Sequence, residues 1–319
     1  MYQPAAHWLW DFWLAHDGRQ HHLFYLQAPR MADNAEARHV HAAIGHAISD
    51  DLRDWREQGE ALSAAATPAW DDRCIWTGSI IDCAASNSPA YAMLYTGTSQ
   101  HEGGVSQRIG LAWSDDLNQW RRAEPSLVLE HDAAHYAGPQ PAHAGEQAWR
   151  DPHLFHHPQG GYGVLLCAQV SRRGQTCAAI ALARSSDLRH WRTAPPILIS
   201  RAFYLLEIPQ LVYIDNHYYL LVSAMAEWID SDQLPGSPPP MTGTYYFHSS
   251  QLDRGWRYGG CLCGSAAEMQ YGLKLVEHQQ QWYGLYWRGY SEDGVFLGDL
   301  SAPLAIDISQ PGKLRVVDR

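Results

Sequence analysis

Three carboxylates lie in apolar or aromatic surroundings: Asp11 in Trp8-Leu9-Trp10-Asp11-Phe12-Trp13, Asp151 in Trp149-Arg150-Asp151-Pro152-His153-Leu154-Phe155, and Glu207 in Leu206-Glu207-Ile208-Pro209-Gln210-Leu211. A charge in such a setting is costly unless its environment uses it. Arg150 stands beside Asp151, and Pro152 fixes the next φ before an apolar run. That pair is expected at the start of a strand, presented rigidly to a pocket. Convergent acids of unlike environment suit cleavage of a glycosidic bond: one is ionised to attack or to support a cation, and one is protonated to donate to the leaving oxygen. Any one of them alone reads as a structural cap. The chemistry therefore depends on elements that bring all three together.

Those elements are repeats. Gly45-His46-Ala47-Ile48-Ser49-Asp50-Asp51-Leu52-Arg53-Asp54-Trp55 returns as residues 110–120, again as 181–191, and in decayed form as Ser249-Ser250-Gln251-Leu252-Asp253-Arg254-Gly255-Trp256. The closing tryptophans, at 55, 120, 191 and 256, are 65, 71 and 65 residues apart. A short aromatic or aliphatic strand precedes each copy, starting at His22, Tyr91, Tyr162 and Tyr218, and a fifth starts at Trp282. Helix-period segments are nearly absent. Short strands in units of this length predict an all-β, five-bladed β-propeller, with blades near 1–60, 61–125, 126–196, 197–260 and 261–319 in a single domain. The first strand of each propeller blade lines the axis, so Asp11, Asp151 and Glu207, read as equivalent blade-head positions, are expected in one funnel. The connections 28–41, 97–107, 169–175 and 225–243 fall on the same side. The last carries the stiff run Leu234-Pro235-Gly236-Ser237-Pro238-Pro239-Pro240, expected to form one wall of the site.

Composition narrows the partners. The 34 acidic against 23 basic residues give a net charge of −11, which excludes a phosphate-backbone partner. No uninterrupted apolar run reaches membrane-spanning length, and the N-terminus lacks the basic and apolar regions of a secretion signal. The six cysteines are scattered without a disulfide or zinc pattern, so reduced thiols in the cytoplasm are expected. His21-His22, His39-Val40-His41 and His156-His157 lack supporting ligands at metal-site spacing and predict no metal. Fourteen tryptophans and 17 tyrosines against six phenylalanines suit sugar stacking as well as half-buried strands.

The motifs resemble glycoside hydrolase family 32, the invertase, inulinase and levanase group, and its relative family 68. The resemblance rests on the Gly-His-Ala-x-Ser-x-Asp-Leu-x-x-Trp of 45–55, on Trp76-Thr77-Gly78-Ser79 followed by Tyr95-Thr96-Gly97, on Arg150-Asp151-Pro152, and on Glu207-Ile208-Pro209-Gln210. It covers blades 1 to 4 and is weak in blade 5. Trp10-Asp11-Phe12-Trp13 stands where family 32 usually has Asn-Asp-Pro-Asn-Gly and is closer to the Trp-Asp-x-Trp of family 68. The resemblance implies Asp11 as nucleophile, Glu207 as general acid/base and Asp151 as transition-state stabiliser, in a retaining mechanism without cofactor. Arg150 would join Asp151 in holding sugar hydroxyls, Trp10 or Trp76 would stack on a ring, and Gln27 and Tyr271 complete the expected substrate contacts. The implied substrate is a small β-fructofuranoside such as sucrose or a short fructooligosaccharide, because no C-terminal sandwich follows the propeller. A family 43-like arabinofuranosidase or xylosidase shares the fold and the acids, but Arg150 counts against it. A non-catalytic sugar-binding propeller would be expected to lack an acid, and all three are present.

Overall fold

The repeated Ser-x-Asp-Leu-x-x-Trp turn is what makes alternating strands stack regularly. In the computed structural model, which describes residues 1–31, 34–83, 89–138 and 148–317, Ser114 donates its hydroxyl to Asp116. Asp116 Oδ1 in turn accepts the backbone N–H groups of Asn118 and Gln119, each at 2.9 Å. The same pattern recurs at Asp51 with Arg53 and Asp54, and at Asp187 with Arg189 and His190. Leu52, Leu117 and Leu188 turn the chain at φ of +65°, +63° and +64° and bury their side chains. The indoles of Trp120, Trp191 and Trp256 then donate to the carbonyls of Leu117, Leu188 and Leu252. An aspartate that satisfies two turn N–H groups is worth more than its exposed position suggests. Asp116→Ala is expected to lower the unfolding free energy by about 1 kcal/mol, read as a shifted midpoint in denaturant.

Five antiparallel sheets result, arranged as a five-bladed β-propeller. Blade 1 holds β1 (His7–His16), β2 (His21–Pro29), β3 (Ala43–Ser49) and β4 (Arg56–Leu62). Blade 2 holds β5 (Cys74–Asp82), β6 (Tyr91–Thr98), β7 (Gln107–Ser114) and β8 (Arg121–Leu129). Blade 3 holds β9 (Trp149–His156), β10 (Tyr162–Arg172), β11 (Gln175–Ser185) and β12 (Arg192–Ser200). Blade 4 holds β13 (Glu207–Ile214), β14 (His217–Ala224), β15 (Thr242–Ser249) and β16 (Arg257–Ser265). Blade 5 holds β17 (Gln270–His278) and β18 (Gln281–Tyr290), with β19 (Phe296–Leu300) and β20 (Leu304–Asp307) both on β18, and β21 (Arg315–Val316) outermost. The outer strands β8, β12 and β16 run to Leu129, Ser200 and Ser265, a few residues beyond the divisions read from the sequence.

Successive blades bury apolar faces against each other. Ala92, Leu94, Leu111 and Trp113 of blade 2 pack with Trp149, Leu154, Val164 and Leu166 of blade 3, and a comparable cluster lies between blades 3 and 4. The ring closes where the Tyr2 backbone exchanges two hydrogen bonds with Leu300 of blade 5. Neighbouring blades meet where side-chain hydroxyls of one accept backbone N–H groups of the next blade's innermost strand. Ser79 Oγ takes Leu154 N (2.8 Å), Thr96 Oγ1 takes Asp151 N (3.1 Å), Ser223 Oγ takes Gly272 N (3.1 Å) and Thr244 Oγ1 takes Leu273 N (2.9 Å). Hydroxyls therefore satisfy buried donors that a closed barrel would pair with carbonyls.

Candidate active site

Every innermost strand carries one extra residue at the same depth. The register with the second strand slips at Asp11 in β1, Thr77 in β5, Asp151-Pro152 in β9, Ile208-Pro209 in β13 and Gly272-Leu273 in β17. Such a bulge bends the strand and re-aims its side chains. Asp11, Asp151 and Ile208 adopt φ of +24°, +59° and +42°, a region that non-glycine residues occupy at a cost of about 1 kcal/mol or more. Gly272 (φ +67°) avoids that cost, and a Cβ there would stand 2.8 Å from Ile208 and 2.9 Å from Trp287. The bulges arrange the axis in two tiers. One holds Asp11, Thr77, Asp151, Ile208 and Gly272; the other holds their preceding neighbours Trp10, Trp76, Arg150, Glu207 and Tyr271. Glu207 is thus not equivalent to Asp11 and Asp151, as the repeat alignment suggested, but stands one residue earlier, level with Arg150.

All three acids line one open cavity of ≈420 Å³. Asp11 accepts the Trp287 indole N–H at 2.9 Å and the Thr77 hydroxyl at 3.2 Å. Glu207 accepts Arg150 Nη2 at 2.7 Å on one oxygen and the Tyr271 hydroxyl at 2.6 Å on the other. Asp151 accepts the backbone N–H of Ile208 at 3.0 Å, and its Oδ2 lies 3.8 Å from Arg150 Nε. Burial, reinforced by Asp151 and Glu207, pushes the Asp11 carboxyl up to about 7. Burial also raises Asp151, against the pull of Arg150. Burial and the adjacent Glu207 hold the Tyr271 phenol well above its ordinary value, so it stays a hydrogen-bond donor. Burial thus displaces Asp11 and Asp151 toward neutrality, while Glu207 accepts one hydrogen bond on each oxygen.

Of the expected substrate contacts, Arg150, Trp76 and Tyr271 reach the cavity wall. Trp76 is half-buried and its indole N–H is fixed to the His39 carbonyl at 2.9 Å, which holds the ring in place. Trp10 also lines the cavity, but it is 1% exposed and Arg38 lies over its ring at 5.8 Å, so it leaves little face for a sugar. Gln27 does not line the cavity. It pairs across the ladder with Leu9, whose side chain is in the core, and cross-strand partners share a face. Thr77, Trp287 and Lys274 were not singled out from the sequence. Thr77 lay inside the quoted Trp-Thr-Gly-Ser motif, Lys274 was a charge between Leu273 and Leu275, and Trp287 carried no local signal.

The rim comes from two of the expected connections. Glu36, Arg38 and His39 lie on the 3₁₀ helix Ala35–Val40, while Met225, Glu227 and Trp228 open the 225–243 excursion. The Pro-rich run 234–240 is not part of the wall, nor are residues of 97–107 and 169–175. Glu36 bonds Tyr290 and Arg38 across the mouth, and hydrogen bonds from His39, Tyr290 and Arg38 hold its carboxyl well below the usual range. Among the described residues, no group of three or more His, Cys, Asp or Glu is placed to hold a metal ion.

The sequence model described as the glycosyl hydrolases family 32 N-terminal domain matches residues 2–257. The chain belongs to glycosyl hydrolase family 32. It is therefore a glycosidase, and the match runs from blade 1 to the start of β16 in blade 4, leaving out the blade that carries Tyr271, Lys274 and Trp287. Solved structures with the same fold include an inulosucrase from Halalkalicoccus jeotgali bound to kestose, at 21% identity and a TM-score of 0.78, covering 99% of this chain and 89% of that one. A Bacillus subtilis levansucrase in complex with oligosaccharides has 12% identity and a TM-score of 0.76, covering 100% and 88%. A family 32 β-fructofuranosidase from Bombyx mori has 18% identity and a TM-score of 0.70, covering 99% of this chain and 64% of that chain.

Proposed function

We propose that this family 32 chain is a retaining β-fructofuranosidase acting on sucrose or a short fructooligosaccharide, with transfer of the fructosyl group to a sugar acceptor as a competing outcome. The observation that carries it is the delivery of Asp11, Asp151 and Glu207 from three inner strands to one cavity. Asp11, aimed by Trp287 and Thr77, attacks the anomeric carbon as Glu207 gives its proton to the leaving oxygen. The resulting fructosyl ester on Asp11 is released by water, or by an acceptor hydroxyl, that Glu207 deprotonates. Asp151 and Arg150 hold the sugar, Asp151 facing the charge that develops on the ring. The family and Arg150 favour a fructosyl over an arabinosyl unit. The likenesses to an inulosucrase bound to kestose and to a levansucrase support a small fructoside and transfer as a competing outcome.

Among the described residues no helix is long and apolar enough to cross a membrane. The six cysteines, five of them buried, support a reducing compartment, the cytoplasm. Incubation with sucrose, 1-kestose and 4-nitrophenyl α-L-arabinofuranoside, followed by chromatography, is expected to release fructose from the first two. Longer products from sucrose would show transfer. Arabinose release without fructose would overturn the assignment, and fructose freed from inulin or levan would overturn the restriction to small substrates.

A further inference from the structure

Lysine is scarce in this protein: of 23 basic residues only Lys274 and Lys313 are lysines. Lys313 is exposed near the C-terminal end, whereas Lys274 is 6% exposed in the innermost strand of blade 5. A chain that otherwise meets its need for positive charge with 21 arginines places a compact point charge here, where a planar guanidinium has other steric and hydrogen-bonding demands. Three residues past Tyr271 and beyond the β17 bulge, Lys274 lies beneath the tier of Asp11 and Asp151. There it lines a second cavity of ≈210 Å³ on the other side of the axis, which shares Thr77 and Asp151 with the first.

We propose that Lys274 is a positioning residue: its ammonium plugs the axis below the carboxylates, pins the Ile208–Pro209 bulge, and supplies the counter-charge that lets Asp11 and Asp151 be ionised together. The proposal rests on the assignment of Asp11 as nucleophile. Its geometric half is direct. Lys274 Nζ donates to the Ile208 carbonyl at 2.5 Å and to the Pro209 carbonyl at 3.3 Å. The same Ile208 donates its N–H to Asp151 and follows Glu207 in the chain. One side chain therefore holds the left-handed residue that sets the aim of two acids.

The electrostatic half follows from the groups that face the axis. Asp11 comes from β1, Asp151 and Arg150 from β9 and Glu207 from β13; the β5 residues at the axis, Thr77 and Ser79 among them, are uncharged, and Arg38 at the mouth is paired with Glu36. With Arg150 bonded to Glu207 and near Asp151, Lys274 is the remaining cation among these groups for three carboxylates. His153 shares its cavity but is pushed down to about 3 by burial and by Lys274 itself, and so is neutral. His16, His21 and Glu277 line the far part of that cavity. Burial lowers the Lys274 ammonium to about 8, while Asp151 and Asp11 pull it back up. The reciprocal of that pull favours both carboxylates in their charged form.

The test starts with the intact protein. Labelling lysine with ¹³C at Cε yields two signals, and Asp11→Asn is expected to lower the titration midpoint of Lys274 by at least about half a pH unit, because an attracting charge is gone. An unmoved midpoint would overturn the counter-charge role whether or not the protein releases fructose, which keeps this test separate from the functional assignment. Lys274→Met and Lys274→Gln, checked for folding by near-ultraviolet circular dichroism, are then expected to move the acid limb of kcat/KM upward by about one pH unit, a tenfold loss on that limb. Gln keeps a donor for the Ile208 carbonyl but carries no charge. A limb in folded Lys274→Gln that coincides with wild type would overturn the proposal. If neither variant folds, the lysine titration decides it alone.

Discussion

Asp11→Asn is expected to reduce turnover on the order of 10⁴-fold or more while making the folded chain more stable at pH 8. The loss of activity follows if Asp11 is the group that bonds to the anomeric carbon, since an amide neither attacks nor leaves as a carboxylate does. The gain in stability follows from burial. With its carboxyl raised from 3.8 to about 7, Asp11 binds its proton more tightly in the folded than in the unfolded chain. Its favourable contribution is complete below the ordinary carboxylate value and is lost as pH rises to about 7. That window is worth at most about 4 kcal/mol; because Asp11 opens onto the cavity, about 1–2 kcal/mol is the expected gain from the neutral amide. In the wild type the same titration makes kcat/KM fall as pH drops through about 7. Thermal unfolding of both proteins at pH 5 and pH 8, with a pH–rate profile, measures all of this. Equal stabilities at pH 8 would show that Asp11 carries no such penalty.

Glu207→Gln is expected to lower turnover of sucrose by at least ~10² and to have a much smaller effect on the glycosyl-transfer step of an activated aryl β-fructofuranoside. A good leaving group departs without a proton, so only poor ones need the acid. The amide fits the same space and can still meet the Tyr271 hydroxyl, but it leaves Arg150 without the carboxylate held at 2.7 Å. Some loss of positioning is therefore expected for both substrates, and the informative quantity is the ratio between them. Near-normal activity on sucrose would remove Glu207 from the mechanism, and equal losses on both would make it a structural partner of Arg150 rather than the proton donor.

Much of this protein was legible without coordinates. The turn at each Asp-Leu-x-x-Trp is built from bonds spanning two or three residues, such as Asp116 to Asn118 and Gln119, so its signature survives in the sequence and marks four of the blades, the fifth being read from the short strand that starts at Trp282. In a propeller the first strand of each blade lines the axis, which makes Asp11, Asp151 and Glu207 expected neighbours. Arg150 followed from its place beside Asp151, whereas Tyr271 was expected only as part of the family resemblance.

What only the tertiary structure decided depends on register and on contacts between distant strands. The bulges set Glu207 one residue out of step with Asp11, and a one-residue slip changes the face on which a side chain lies. The ladder turned Gln27 toward the core with Leu9, and the rim helix laid Arg38 over Trp10. Trp287, Thr77 and Lys274 reach the site through bonds that join residues 276, 66 and 66 positions apart. Local propensity carries no trace of such bonds, because they exist only once five blades have closed around one axis.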